Sequence, residues 1–193
     1  AFAPGSATFD VERGALTDIS PVPWQTCTSI AKNSWGYTEN NKFKSAYHVI
    51  CDLIDIVSKN GVMLLNVGPK PDGTITDEET AVLNEIGDWL KTNGEGIYDT
   101  VPWKTFGEGK VNTKDGSFKD NKTKKYTEKD FRFTYKDGAV YAFQMEPTHD
   151  GVIRIKNFKK ITQDAIVYSV KLLGNHSPII ISRTKKYMEL KLT

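Results

Sequence analysis

The run from Leu53 to Asp88, LIDIVSKNGVMLLNVGPKPDGTITDEETAVLNEIGD, constrains the fold more than any other part of this chain. It reads as the end of an amphipathic helix, a glycine stop, a strand over 62–67, the loop GPKPDG and a second helix. That order is one complete step of an α/β protein, and its loop leaves the carboxyl end of the strand, where such folds place their chemistry. Val62, Met63, Leu64 and Leu65 are apolar without alternation, which predicts a strand buried on both faces. Thr76 followed by Glu79 is a capping box, and Asp77, Glu78 and Glu79 put negative charge where the helix dipole favours it. Gly94 closes that helix. Upstream, Phe43, Ala46, Tyr47, Ile50, Leu53, Ile54 and Val57 recur at three- and four-residue spacing and predict a helix over about 41–59. Gly61 is placed to end it as a left-handed cap.

Before that helix, Pro21 and Pro23 break the chain, 25–30 alternates as a short strand, and Asn33-Ser-Trp-Gly-Tyr37 is a loop at the strand's carboxyl end. Around 98–103 the character of the sequence changes. Phe131-Arg-Phe-Thr-Tyr135 alternates, Asp137-Gly138 is a hairpin turn, and 139–145 alternates back. Further strands are predicted over 152–155, 165–173, 178–181 and 187–192. The fold class that results is α/β followed by all-β: residues 1–100 an α/β part, residues 101–193 an antiparallel β-sandwich domain. The segment 110–129, rich in Lys, Asp, Asn and Thr, reads as a solvated loop. The parallel part has too few strands to cover both of its faces, and strands without neighbours expose a backbone edge. The expectation is the carboxyl-terminal part of a longer enzyme.

Composition narrows the function. A net charge of +2 gives no argument for nucleic acid or an anionic membrane surface. No apolar run reaches the ~20 residues of a membrane span, and the start of the chain has neither the charged leader nor the apolar core of a signal peptide. Cys27 and Cys51 read as two buried thiols, and His48, His149 and His176 lack metal-ligand spacing, so no metal or other cofactor is expected. There is no G-x-S-x-G elbow, and GPKPDG lacks the G-K-[ST] ending of a phosphate loop. Asn121-Lys-Thr123 and Asn175-His-Ser177 fit the glycosylation triplet, a pattern frequent by chance.

What remains is a set of carboxylates near aromatics on the strand–loop side: Asp10 and Glu12 with Phe9, then Trp24, Trp35 and Tyr37. Carbohydrate enzymes need such a set. One carboxylic acid protonates the glycosidic oxygen, a second carboxylate attacks or activates water, and aromatic faces pack on the sugar's C–H surface. On composition alone Glu12 is an ordinary surface carboxylate, and Trp24 and Trp35 are core residues.

Three motifs in order, PWQTCTSIAKNSWGY, LIDIVSKNGVMLLNVGPKPDGTI and LNEIGDWLKTNGEGIYDTVPW, resemble the last third of the α-L-fucosidases of glycoside hydrolase family 29. The resemblance covers about 8–103; the later residues are similar to the family's C-terminal β-sandwich only in pattern. It implies the last βα units of a (β/α)₈-like barrel and a retaining, cofactor-free exo-hydrolase of terminal α-linked L-fucose. The substrate would be a fucosylated oligosaccharide or glycoconjugate, met in a secreted, periplasmic or lysosomal setting. The aspartate nucleophile of the double displacement would lie upstream of Ala1. Glu12, in VERG twelve residues before Trp24, matches the general acid/base, and Trp35 matches the aromatic that packs on the fucose C5 methyl group. Asn66 and GPKPDG would shape the last βα loop. Gln25 departs from the family, where many members carry Glu, and an amide cannot act as an acid. Gln25 and the lone carboxylate motivate a rival reading, a non-catalytic sugar-binding protein that kept the fold.

Overall fold

The computed structural model describes residues 6–120, 125–158 and 169–192, the side chain of residue 192 excepted. Three strands form a parallel sheet in the order β1 (Phe9–Asp10), β2 (Trp24–Ser29), β3 (Gly61–Asn66). Helix α1 (Ala46–Val57) connects β2 to β3, and helix α2 (Asp77–Asn93) follows, running into a 3₁₀ turn at Gly94–Gly96. Two antiparallel sheets come next. One holds β4 (Val101–Glu108), β5 (Phe131–Lys136) and β6 (Ala139–Gln144); the other has β9 (Met188–Leu192) between β7 (Val152–Ile155) and β8 (Ile179–Arg183).

The expected βα step stands where the sequence placed it, with changes at its edges. Helix α1 begins at Ala46 rather than near 41, because Lys44 donates its amide to Ile30 and Phe43 bridges Ala31, which keeps that stretch extended. Ser45 then caps the helix, accepting the His48 amide at 3.2 Å. The left-handed residue at its end is Asn60, with φ of 71°, and not Gly61. Gly61 opens β3, and a Cβ there would stand 2.5 Å from the Trp24 ring. Its lack of a side chain serves packing against that indole, which is fully buried and donates its N–H to the Lys59 carbonyl. At α2 the cap is half a capping box. Thr76 accepts the Glu79 amide at 3.2 Å, but the buried Glu79 carboxylate turns to the Gly68 amide at 2.9 Å and so ties GPKPDG down.

Strand β3 is not buried on both faces. Met63 and Leu65 pack with Ala46, Val49 and Ile86 of the two helices, whereas Val62 and Leu64 are each 56% exposed on the other face, which carries no helix among the described residues. A continuous apolar run cannot distinguish these cases. Cys51 is buried, but Cys27 is half-exposed on that same open face, so only one of the two thiols is a core residue.

In the second half, Asp137 and Gly138 both have positive φ, 49° and 85°, the requirement of a two-residue hairpin turn whose twist matches the strands. Strand β4 had no clear signal, since Pro102 and Gly107 interrupt its alternation and its register with β5 shifts between them. The two antiparallel sheets share one apolar cluster, Phe131, Phe133, Ile155, Met188 and Leu190, with Trp103 edge-on to Phe133 at 5.4 Å. Of the strand expected over 165–173, residues 165–168 lie outside the described residues and 169–173 form no strand, only an isolated bridge from Leu172 to Asn175; Asn121 also lies outside the described residues.

The segment expected as a solvated loop is the largest departure. Residues 111–120 lie back across the first half as a strap. Asn112 and Thr113 donate to the carbonyls of Thr17 and Leu16, and the amides of Gly116, Phe118, Lys119 and Asp120 donate to those of Ala15, Glu12 and Arg13. Asn112, Thr113 and Asp115 bond to the backbone they cross and Asp120 to the side chains of Arg13, Lys44 and Thr28, which a composition count cannot see.

One ion cluster joins the halves. Asp55 of α1, 1% exposed, pairs with Lys59 at 2.7 Å and with Arg132 of β5, and takes a hydrogen bond from Thr113 of the strap. Burial alone would raise the Asp55 carboxyl pKa, but Lys59 and Arg132 overcome this and hold it below the ordinary value. Asp55→Ala should therefore lower the unfolding free energy by about 3–5 kcal/mol, since two buried cations lose their counter-charge. Urea denaturation checks this, and a loss under about 1 kcal/mol would contradict the role given to Asp55.

Candidate active site

In a parallel sheet the loops beyond the carboxyl ends of the strands meet, and here they bring together residues 12–14, 30–37 and 66–73. The ladder between β1 and β2 continues past Asp10, with the amides of Val11 and Arg13 donating to the carbonyls of Gln25 and Cys27. Alternation puts Asp10 on one face and Val11 on the other; the chain then turns at Glu12–Arg13, and Glu12 stays near enough to the Asp10 side to act on Cys27.

The first face is the open one. Asp10 accepts a hydrogen bond from the Gln25 amide at 3.0 Å and from the Cys27 thiol at 3.2 Å. Burial raises the Cys27 pKa, and the carboxylates of Asp10 and then Glu12 add to it, so Glu12 acts on the same thiol. Glu12 is half-buried. Gln25 also receives a physical reason. A glutamate there would set a second carboxylate about 3 Å from Asp10, whereas an amide donates to it. Phe9 is 58% exposed and Trp24 is fully buried on the helix side, so neither lies against Glu12 as the sequence grouping suggested.

Trp35 is 39% exposed in the loop after β2 and is no core anchor. Its carbonyl accepts the Asn66 side-chain amide at 2.7 Å, which pins this loop to the end of β3. Gly68 lies against Gly36 and Tyr37; a Cβ there would be 2.9 Å from their backbone, so GPKPDG and NSWGY meet only because position 68 is glycine. The connection between Glu12 and Trp35 runs through Arg13, whose guanidinium lies 5.1 Å from the centre of the Trp35 ring. Tyr37 is exposed in the same loop.

On the opposite side of the sheet a cavity of about 500 Å³ is bounded by Thr26, Thr28, Asp52, Asp55, Tyr126 and the strap. It is separated from the Glu12 face by the sheet itself, and its carboxylates already pair with Lys59, Arg132, Lys44 and His48. It is a seam between the halves. Among the described residues no group of three or more His, Cys, Asp or Glu could hold a metal ion.

Sequence reasoning singled out Asp10, Glu12, Trp35 and Asn66, and it did not name Arg13 or Asp120, which contact the backbone and the ring around them.

The parallel strands, the helix that connects β2 to β3 and the helix that follows define the first half as an α/β unit. The alpha-L-fucosidase family model matches residues 5–95. Tissue alpha-L-fucosidase of Rattus norvegicus is 34% identical over 139 residues, 70% of this chain and 26% of that protein. Plasma alpha-L-fucosidase of Homo sapiens is 37% identical over 90 residues, 45% of this chain and 19% of that protein. The crystal structure of Thermotoga maritima alpha-fucosidase in complex with fucose superimposes with a TM-score of 0.65 at 26% identity, covering 91% of this chain and 37% of that one. The chain thus resembles the carboxyl-terminal third of the α-L-fucosidases of glycoside hydrolase family 29. It spans about a quarter of the length of the rat relative.

The electrostatics beneath the site carry a pH dependence. His48 of α1 contacts the Asp120 carbonyl at 2.8 Å and the Asp52 carboxylate at 3.3 Å. Burial would lower its pKa, as would Lys44, but Asp52 and Asp120 outweigh both and the His48 pKa is raised. Burial also pushes Asp52 up against the pull of His48 and Lys44, so folding favours proton uptake at both members of the pair. A raised folded-state pKa stabilises below the unfolded value, about 6.5 for histidine, and that stability is lost as pH rises through the folded value. Unfolding free energy should fall from pH 6 upward, and His48→Gln should flatten this part of the curve. Denaturation at a series of pH values checks it, an unchanged slope being the contrary result.

Proposed function

We propose that this chain is the carboxyl-terminal portion of a retaining exo-α-L-fucosidase. Residues 1–100 would supply the last βα units of a (β/α)₈-like barrel, and residues 101–193 an antiparallel β-sandwich domain. The observation that carries the reading is that Glu12, Trp35 and Asn66 all stand at or just beyond the carboxyl ends of three parallel strands, with the Asn66 side chain on the Trp35 carbonyl, within the segment the family model matches. The exposed Val62 and Leu64 face fits a barrel interior that further strands would line.

In this mechanism a carboxylate supplied by the rest of the polypeptide attacks the anomeric carbon. Glu12 protonates the departing glycosidic oxygen and then, as a base, takes a proton from the water that releases fucose. Trp35 offers an apolar face to the C5 methyl group and excludes water there. No metal or other cofactor enters these steps. The substrate class is a terminal fucosylated glycan. The plasma alpha-L-fucosidase among the relatives supports a secreted place of action; a periplasmic or lysosomal one rests on the family resemblance alone. Among the described residues no helix is long and apolar enough to cross a membrane.

The test uses the complete polypeptide that carries this chain and a chromogenic aryl α-L-fucoside, with the aryl galactoside as control. Glu12→Ala should reduce turnover by about 10²–10⁴-fold, the range of a general acid/base. Azide should restore part of it, because a small anion needs no deprotonation to attack the intermediate. Wild-type turnover by Glu12→Ala would remove Glu12 from the mechanism. A wild-type protein that binds fucose but never hydrolyses the fucoside would support the non-catalytic rival.

A further inference from the structure

We propose that Asp120, carried by the strap of the second half, is a positioning residue for the site. Through Arg13 it sets where Trp35 stands and holds the backbone on which Glu12 is mounted. The inference rests on the fucosidase reading of Glu12 and Trp35.

Arg13 is in the left-handed region, with φ of 47°, which is disfavoured for an arginine and persists only when its surroundings hold it. Three loop carbonyls do so. The guanidinium donates to Ala31 at 2.9 Å, to Lys32 at 2.6 Å and to Ser34 at 3.5 Å, and lies against the Trp35 ring. These are the residues that lead into Trp35, so the orientation of the loop is set by one planar fork of donors, a geometry an ammonium cannot reproduce.

Arg13 is itself aimed by Asp120, whose carboxylate stands 3.1 Å from its Nε. That carboxylate is fixed in turn by Lys44 at 2.7 Å and by the Thr28 hydroxyl at 2.8 Å, all three groups being buried or nearly so. The strap also grips the main chain beside the proposed acid. Phe118 donates to the Glu12 carbonyl at 2.9 Å, and Lys119 and Asp120 donate to the Arg13 carbonyl at 2.8 and 3.0 Å. With Arg13 bonded to Cys27 of β2 on its other side, Glu12 sits on a backbone held from two directions.

A positioning role and a merely structural one predict different kinetics. Loss of the Asp120 charge frees Arg13 and lets the 31–36 loop turn, which weakens sugar binding at Trp35 while Glu12 keeps its proton chemistry. In the complete polypeptide, Asp120→Asn, which leaves an oxygen where Arg13, Lys44 and Thr28 converge but removes its charge, should raise KM for the aryl α-L-fucoside about tenfold and change kcat by less than about threefold. Asp120→Glu should recover part of the loss, and Arg13→Lys should reproduce the Asp120→Asn phenotype. The double variant Arg13→Lys/Asp120→Asn should be little worse than either single one, because both act on the same loop. An independent readout is indole emission: Asp120→Asn should shift it, and the shift should vanish in a Trp35→Phe background. Wild-type KM together with unshifted emission in folded Asp120→Asn would overturn the proposal. If the wild-type polypeptide hydrolyses no fucoside, the functional reading fails, and the emission series alone then decides whether Asp120 positions Trp35.

Discussion

The structure depends on one buried carboxylate. Asp55 lies on the face of α1 turned away from solvent, with Lys59 four residues on, just past the end of that helix, and Arg132 reaching in from β5. The two cations share one aromatic ring, Lys59 at 4.8 Å and Arg132 at 5.3 Å from the centre of Phe106, and Arg132 also lies 5.5 Å from the centre of the Tyr126 ring. Three charges without water are tolerable only because each has a partner and its remaining donors reach carbonyls or side chains of the strap. The result is orientation more than net stabilisation. Apolar side chains could bury the same area, but they would not fix the angle between α1 and β5. An apolar cluster of Cys51, Ile54, Ile97, Tyr126, Phe143 and Met145 crosses the same seam.

A second cluster repeats the device nearer the chemistry. Asp120 gathers Arg13, Lys44 and Thr28, and its backbone carbonyl meets His48. Asp55 therefore fixes the helix beneath the sheet, and Asp120 fixes the loops above it. Glu12 and Trp35 sit between, on a strand end and a loop whose freedom has been removed by groups from the other half of the chain. On the proposed reading of Glu12, the preorganisation that acid catalysis needs is supplied by residues that do not touch the open face.

Local physics was legible in the sequence where it was strong. The Leu53–Asp88 run, the Thr76 cap, the Asp137-Gly138 turn and the alternation over 131–135 each correspond to an element. Glu12 and Trp35 were reachable through motifs. What could not be read was long-range charge pairing. Asp55 and Arg132 are 77 positions apart, Thr28 and Asp120 are 92 apart, and nothing in the composition of 110–129 separates a solvated loop from a strap. Strand β1, two residues long, is too short to leave a period. Gly61 has the right residue type for a helix cap but is glycine because of Trp24, a contact no local pattern reveals.

The central claim is that the two halves form one mechanical unit through α1, so their backbone should open together. Native-state hydrogen exchange on the complete polypeptide tests it directly, comparing the amides of β2 and β3 with those of β5 at increasing denaturant. The account predicts that both sets exchange with the same opening free energy and the same denaturant dependence. Amides of β5 that exchange through an opening well below that of β3, with β2 and β3 still protected, would show that the halves are held independently and would contradict it.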